Sequence, residues 1–144
     1  MQKREQRLWC IATVSISKKE ATVEDLKNIK SRAYQYRKVN GISGVSIYAN
    51  GCALDLIEGL KDAVEEEYKG SIKNKLQAPI ITVYDGPIEF RFFEDYIFAY
   101  RILSPEKFQE VDSFSTDYAR EFFETFLSLD HPLSRTVRSF ILNS

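Results

Sequence analysis

The sequence predicts an α+β fold: a ferredoxin-like β-α-β-β-α-β-β sheet with two helices on one face, plus a C-terminal helical extension. Two stretches with helical periodicity each follow short apolar runs rich in β-forming residues. Between those helical stretches, Asn50-Gly51 separates two strand-like runs and is a strong hairpin signal. The 144 residues, 44% hydrophobic and 28% charged, suffice for one globular domain with a core.

A strand and a helix are predicted at the start of the chain. Residues 8–15 (LWCIATVS) form an apolar run with β-forming residues, which is typical of a buried strand. Thr22, with Asp25 three residues later, resembles a capping box and predicts the start of a helix. Apolar residues then recur at three- and four-residue steps as far as Asn40-Gly41, a pair that favours a helix end.

The hairpin, a second helix and two further strands follow. Residues 42–49 and 52–58 are the hairpin strands on either side of the Asn-Gly pair. Residues 61–74 predict an amphipathic helix, and its acidic triplet 65–67 (EEE) is expected on a solvated face. The last strands are predicted at residues 79–84 and 96–103, with a turn at 85–87 (DGP).

Residues 104–144 differ from residues 1–103, because amphipathic helical patterns replace the strand signals and hold six of the ten phenylalanines. A ferredoxin-like sheet leaves one face bare, and two amphipathic helices are suited to cover it. The sequence therefore predicts a domain at 1–103, and a tail at 104–144 that either packs on the sheet or forms an oligomer interface. We expect the chain to be a homo-oligomer through this tail.

Charge and residue counts exclude several function classes. Twenty Lys and Arg against 21 Asp and Glu give a net charge of −1, which offers no electrostatic basis for binding nucleic acid or an anionic membrane. No apolar run reaches the roughly 18 residues of a membrane span, and no signal-peptide pattern is present, so a cytoplasmic protein is expected. Cys10, Cys52 and His131 are too few for a Cys/His metal site, and no metal is expected.

Catalysis is not expected either. Asp55 and Glu58 stand three apart on a predicted strand, so their side chains point to opposite faces and do not form an acid–base pair. Neither cysteine has a histidine nearby in sequence. Cys10 and Cys52 are interpreted as small buried hydrophobic residues, with a nucleophile or a disulfide as the alternatives.

The hairpin and its flanks resemble a known family. Residues 41–44 (GISG), Tyr48, Gly51 and residues 54–59 (LDLIEG) resemble the run G-I-T-G-x-x-x-Y-x-x-G-x-F-x-Q-x-L-E-G of the BLUF family of flavin-based blue-light sensors. The match has no gaps and extends from the first strand to about residue 103, around two thirds of the chain. The resemblance implies a ferredoxin-like domain that carries a flavin in a slot against the sheet.

The positions that carry the family's photochemistry depart from its pattern. Thr13 stands where the family has a first-strand tyrosine, Asp55 where it has a glutamine, and Arg37 where it has an asparagine. Tyr96 and Phe98 replace the Trp and Met of the last strand. Threonine is not a usable one-electron donor, an ionised Asp55 only accepts hydrogen bonds, and Arg37 only donates them. We hypothesise that Arg37 and Asp55 form an ion pair inside or at the mouth of the slot, in which removal of one partner leaves a buried charge. The alternative is an exposed Arg37 on the helix and an Asp55 that caps a local group.

The resemblance therefore implies a sensory or regulatory domain without the normal flavin photocycle, acting through protein–protein interaction. The alternative is an FAD-binding blue-light photoreceptor of the BLUF type with altered photochemistry. No catalytic residues are predicted, FAD is the one cofactor implied, and the expected partner is another protein or a second copy of the chain. The residues expected to contact a flavin, or to fill the slot without one, are Thr13, Ser15, Leu26, Ile29, Arg37, Ile42, Asp55, Tyr96 and Phe98.

Overall fold

A computed structural model describes residues 7–16, 23–49, 52–74, 80–103, 110–112 and 125–142. The cap predicted at Thr22, the Asn50-Gly51 turn and most of the first tail helix lie outside these ranges. Within them, no helix is both long enough and apolar enough to cross a membrane.

The described strands form one sheet in the order β4-β1-β3-β2-β5-β6, in which only the β2–β5 pair is parallel. With the helices that pack on it, this is the α+β ferredoxin-like arrangement that the sequence predicts. The strands are β1 (Leu8–Ile16), β2 (Ser43–Ala49), β3 (Cys52–Leu60), β4 (Ile80–Pro87), β5 (Ala99–Leu103) and β6 (Glu110–Asp112). The helices are α1 (Val23–Asn40), α2 (Lys61–Asn74) and α3 (Pro132–Leu142).

The end of α1 is set by a glycine. Gly41 has φ 66°, in the left-handed region that glycine enters without steric cost. The Ile42 N–H then donates to the Arg37 carbonyl at 2.9 Å, the bond that closes a Schellman-type helix end. This geometry turns the chain directly into β2 and places Arg37 in the last turn of α1.

The two faces of the sheet have different coverings, because alternate residues of each strand point to opposite sides. On one face, Leu54 and Val45 belong to a buried cluster that also contains Phe126, Leu133 and Val137 of the tail. The described part of the tail thus packs on the sheet of its own chain. On the other face, residues of β1 and β3 pack with α2, and α1 lies beside it; the buried side chains of this second cluster are Ile11, Ile42, Ile57 and Val64.

Three parts of the strand prediction differ from the structure. Residues 85–87, predicted as a turn, continue β4, because they pair with the start of β1 as far as Pro87 opposite Trp9. β5 begins at Ala99 rather than at residue 96. The segment before it is held by Glu58, which accepts from Phe92 N and Phe93 N. It is also held by one bond to β2, in which Gly44 N–H donates to the Tyr96 carbonyl at 3.0 Å. β6 was not predicted, because three residues are too few for a periodic pattern.

Both cysteines are free thiols. Cys10 is fully buried in the core, as predicted, and burial raises the pKa of its thiol. Cys52 is half-buried at the start of β3.

Candidate functional site

A cavity of about 800 Å³ lies between the sheet and the two helices α1 and α2. We call it the slot. Strands β1, β2 and β3 form its floor, and the helices form its walls. Its lining combines aliphatic and aromatic side chains with eight polar or charged ones, and a concave surface of this kind is suited to a small molecule.

A row of three polar residues crosses the floor of the slot. Asp55 of β3 pairs with Thr13 of β1 on one side and with Ser46 of β2 on the other. Directly paired residues of neighbouring strands point to the same face, so all three side chains line the slot. Ser46 Oγ donates a short hydrogen bond to Asp55 Oδ1, so the serine proton is directed at the carboxylate.

Two tyrosines extend this polar row. Tyr48, two residues after Ser46 on the same face of β2, also lines the slot. Burial and the Asp55 charge raise the pKa of Tyr48 well above its usual range, so its phenol stays protonated. On the other side, Thr82 of β4 pairs with Thr13, and the Tyr68 hydroxyl of α2 lies 2.8 Å from Thr82 Oγ1.

Arg37 joins both helices to the segment before β5. Its Nε donates to Glu67 Oε1 at 2.8 Å and its Nη2 to Glu67 Oε2 at 3.2 Å, a bidentate ion pair between α1 and α2. Its Nη1 donates to the carbonyl of Ile97 at 3.1 Å. The guanidinium carbon lies 4.6 Å from the ring centroid of Phe98, and the residue is only 8% exposed.

The predicted Arg37–Asp55 ion pair is therefore wrong. Both residues line the slot, but the guanidinium bonds Glu67 and Ile97, whereas Asp55 is bonded by Ser46. The prediction that the acidic triplet 65–67 lies on a solvated face is also wrong in part, because Glu67 is half-buried. The sequence contained an indication that Glu67 is partly buried. Glu67 lies three residues after the buried Val64, so both residues lie on the inward side of α2.

The structure gathers most of the predicted flavin-contacting residues around the slot. Ile42 lies instead in the small core cluster beside α2, and Tyr96 packs against the core on the opposite face of the sheet. Leu26 lies on α1, but its side chain is outside the described part of the chain. The predicted residues that line the slot are Thr13, Ser15, Ile29, Arg37, Asp55 and Phe98.

Sequence reasoning missed seven polar or aromatic lining residues, which are Arg32, Tyr36, Ser46, Tyr48, Glu66, Glu67 and Tyr68. Ser46 and Tyr48 could have been found, because the hairpin register places Ser46 beside Asp55 and strand alternation adds Tyr48. Glu67 and Tyr68 follow Val64 at three and four residues, but only the folded chain brings them to the slot.

A second buried carboxylate lies on the other face of the sheet. Glu58 accepts hydrogen bonds from Phe92 N at 2.9 Å, Phe93 N at 2.6 Å and Ser43 Oγ at 2.9 Å. Burial raises the pKa of Glu58, and these three bonds oppose the shift. Because Glu58 fixes the segment before β5, its role is structural; Asp55 and Glu58 do point to opposite faces, as predicted.

A family model described as "Sensors of blue-light using FAD" matches residues 8–99, well over half of the chain. This range contains the hairpin, the slot floor and Arg37. No curated protein matches the chain.

Solved structures of BLUF proteins have the same fold. The dark-state structure of the BLUF protein BlrB is 22% identical, with 94% of this chain and 98% of that chain covered and a TM-score of 0.63. The photo-activated state of BlsA is 23% identical, with 69% and 72% covered and a TM-score of 0.61. Klebsiella pneumoniae BlrP1 with FMN and cyclic diGMP is 17% identical, with 94% and 34% covered and a TM-score of 0.69, so this chain spans about a third of BlrP1.

These structural likenesses concern the fold, whereas the family match rests on the sequence of the hairpin and its neighbouring elements. Together with the slot between sheet and helices, they lead to one conclusion: the chain belongs to the BLUF family of blue-light sensory domains.

Proposed function

We propose that this BLUF domain is a sensory or regulatory module without the family's normal flavin photocycle, acting through contact with a protein partner. The observation that carries the proposal is the Thr13–Asp55–Ser46 row on the slot floor. The resemblance to the family implies that a tyrosine and a glutamine at the first two of these positions perform the photochemistry. Neither residue type occupies them here.

The chemistry of these two replacements argues against light-driven electron and proton transfer. A threonine hydroxyl has no accessible one-electron oxidation, so Thr13 does not replace a phenol as electron donor. A glutamine amide donates and accepts at once, whereas an ionised carboxylate accepts only. Asp55 therefore does not bridge a donor and an acceptor as an amide does.

Asp55, at the family's glutamine position, offers no hydrogen-bond donor to a flavin. The polar edge of an oxidised isoalloxazine ring presents two carbonyl oxygens and ring nitrogens that accept, with one N–H that donates. On the slot floor, Asp55 also accepts, and the Ser46 proton is directed at Asp55. Arg37, which carries donors, directs three of its nitrogens to Glu67 and Ile97. At the family's glutamine position, an acceptor edge therefore meets an acceptor and not an amide donor.

The C-terminal tail is the part of the domain that we propose contacts a protein partner. In BlrP1, about a third of the chain corresponds to this one. Here we propose a separate partner, or a second copy of the chain, that contacts the C-terminal helices. The inner side of α3 is used by Leu133 and Val137 in the core, and Arg135 is exposed on its outer side. The contact we propose therefore uses the outer side of α3.

A second candidate is an FAD-binding photoreceptor with altered photochemistry. The size of the slot favours it, because a cavity of about 800 Å³ has room for a three-ring system. Tyr48 also provides a protonated phenol on the lining.

Colour and light response separate the two candidates. Purified protein is mixed with excess FAD, separated from free FAD by gel filtration, and scanned before and after blue light. The proposal expects protein without retained flavin, or with flavin whose spectrum does not change reversibly. Retained flavin with a reversible red shift would support the photoreceptor and overturn the proposal.

A further inference from the structure

We propose that His131 makes the docking of α3 on the sheet sensitive to pH: the neutral imidazole caps the helix, and protonation of the ring removes the cap. This inference goes beyond the proposed function, because it concerns the condition under which the tail leaves the sheet, and it holds with or without a ligand in the slot. His131 is the one histidine of the sequence, so a response that needs an imidazole has a single origin.

The bonds at the start of α3 are the first observation. Arg135 N–H donates to the His131 carbonyl at 2.9 Å, which is the first bond of the helix and makes His131 the N-cap residue. Pro132 occupies the first helical position, where no backbone N–H is needed. Leu133 N–H then donates to His131 Nδ1 at 3.1 Å. The imidazole thus accepts the bond that a serine or asparagine side chain accepts at other helix starts.

This bond requires a neutral imidazole. In the neutral ring one nitrogen carries a proton and the other accepts, and the bond from Leu133 gives the accepting role to Nδ1. In the protonated ring both nitrogens donate, so Nδ1 would face the Leu133 N–H as a second donor. A positive charge at a helix N-terminus is also unfavourable, because the helix dipole is positive there. A fall in pH therefore favours the undocked tail.

The cap lies beside the residue that anchors α3 in the core. Leu133, whose N–H makes the bond, is fully buried in the cluster under the tail, and so is Val137 one turn later. The imidazole contacts two further elements of this region. Its ring centroid lies 5.0 Å from that of Phe92, in the segment before β5, and 6.3 Å from that of Tyr84 of β4. A change at the cap thus acts on the contacts that hold the tail to the sheet.

The charged and titratable groups around the imidazole are few among the described residues. On the tail, the exposed Asp130 forms an ion pair with Arg135. On β4, burial raises the pKa of the Tyr84 phenol, so it carries no charge at neutral or acid pH. The segment before β5 contacts the imidazole through the uncharged ring of Phe92. Glu58 of β3, which accepts from the Phe92 N–H, also titrates, but it is retained in a variant at residue 131 and its effect cancels in the comparison.

Hydrogen exchange of the α3 amides, corrected for the intrinsic pH dependence of exchange, tests the inference on the full chain. Wild type is compared with His131→Asn at about pH 7.5 and about pH 5.5, because an asparagine caps a helix without titrating. As the pH falls, we expect the protection of the Val137 amide to drop in wild type by about threefold or more relative to His131→Asn. Asp130→Asn is the matched control and should respond as wild type does.

A second measurement uses the unmodified chain and does not depend on that variant. Because there is one histidine, the ring-proton signals in NMR spectra report its titration directly, and the Leu133 amide signal should shift with the same midpoint. An equal pH response of wild type and His131→Asn, a loss of α3 protection as the pH rises, or a Leu133 amide signal that does not follow the imidazole would each overturn the inference. The proposed function fails separately, on a light-induced spectral change.

Discussion

Arg37 near the end of α1 and Glu67 of α2 form a bidentate ion pair beside the slot, with N–O distances of 2.8 and 3.2 Å. Their side chains are 10% and 14% exposed, so little water screens the charges. The pair links the two helices, and the third bond of Arg37, to Ile97, adds the segment before β5. An arginine at the family's asparagine position is thus accommodated by a glutamate from the neighbouring helix.

Removing Glu67 should destabilise the fold. Glu67→Ala leaves the Arg37 guanidinium buried, and among the described residues the Ile97 carbonyl is then its one remaining hydrogen-bond acceptor. We expect the free energy of unfolding to fall by about 2–4 kcal/mol, slightly below the cost for a fully buried pair. Urea unfolding measures it, and Glu66→Ala is the control, because Glu66 is the exposed neighbour on the same helix. Equal losses in the two variants would contradict a structural role for the pair.

The tail should belong to the same cooperative unit as the sheet. Leu133 is fully buried among residues of β1, β2 and β3, so Leu133→Ala should lower the free energy of unfolding by about 2–5 kcal/mol. Arg135→Ala, on the exposed side of α3, should change it by less than about 1 kcal/mol. A Leu133→Ala variant with unchanged stability would show that the tail contributes nothing to the core of its own chain.

Glu58 should make the stability fall as the pH rises. Burial raises the folded-state pKa of Glu58 above its ordinary value of 4.5, so the folded chain keeps a proton that the unfolded chain has already released. Between the ordinary pKa of Glu58 in the unfolded chain and its raised pKa in the folded chain, the wild type should lose stability as the pH rises. The comparison is with Glu58→Gln, which does not titrate. Urea unfolding of both proteins at a series of pH values measures the difference. A relative stability that rises with pH would contradict the assignment.

The sequence predicted the elements whose determinants are local. The apolar run of β1, the glycine end of α1 and the Asn-Gly hairpin each depend on neighbouring residues, and the structure has β1, α1 and the hairpin strands close to the predicted places. The extension of β4 to Pro87 depends instead on pairing with Trp9, which lies far away in sequence. The same difference explains why β6 and the segment held by Glu58 were not predicted.

Only part of the slot was predicted, because some of its contacts join residues that lie far apart in sequence. Thr13, Asp55 and Arg37 were found because the resemblance aligned them with functional positions, and all three line the cavity. The partner of Arg37 was predicted wrongly, because Glu67 reaches it only after α2 packs beside α1. Tyr96 was assigned to the slot because it stands at the family's last-strand Trp position, but it lies before β5 and packs against the core on the opposite face of the sheet.

Restoring the family's residues should restore flavin chemistry. We expect a variant with Thr13→Tyr, Arg37→Asn and Asp55→Gln to retain FAD through gel filtration and to show a reversible red shift in blue light. Glu67→Gln is added, because Arg37→Asn otherwise leaves that carboxylate half-buried without its arginine. The matched control lacks only Thr13→Tyr and should retain flavin without the light response. An equal light response in both variants would exclude the tyrosine as its source.

We propose that the unmodified slot does not support the family's light reaction. The most direct test is the blue-light difference spectrum of the wild-type chain in the presence of FAD, recorded beside the variant with the restored residues. We expect no reversible red shift for the wild type under conditions in which the restored variant gives one. A wild-type spectrum that shifts to the red in blue light and recovers in the dark would contradict it.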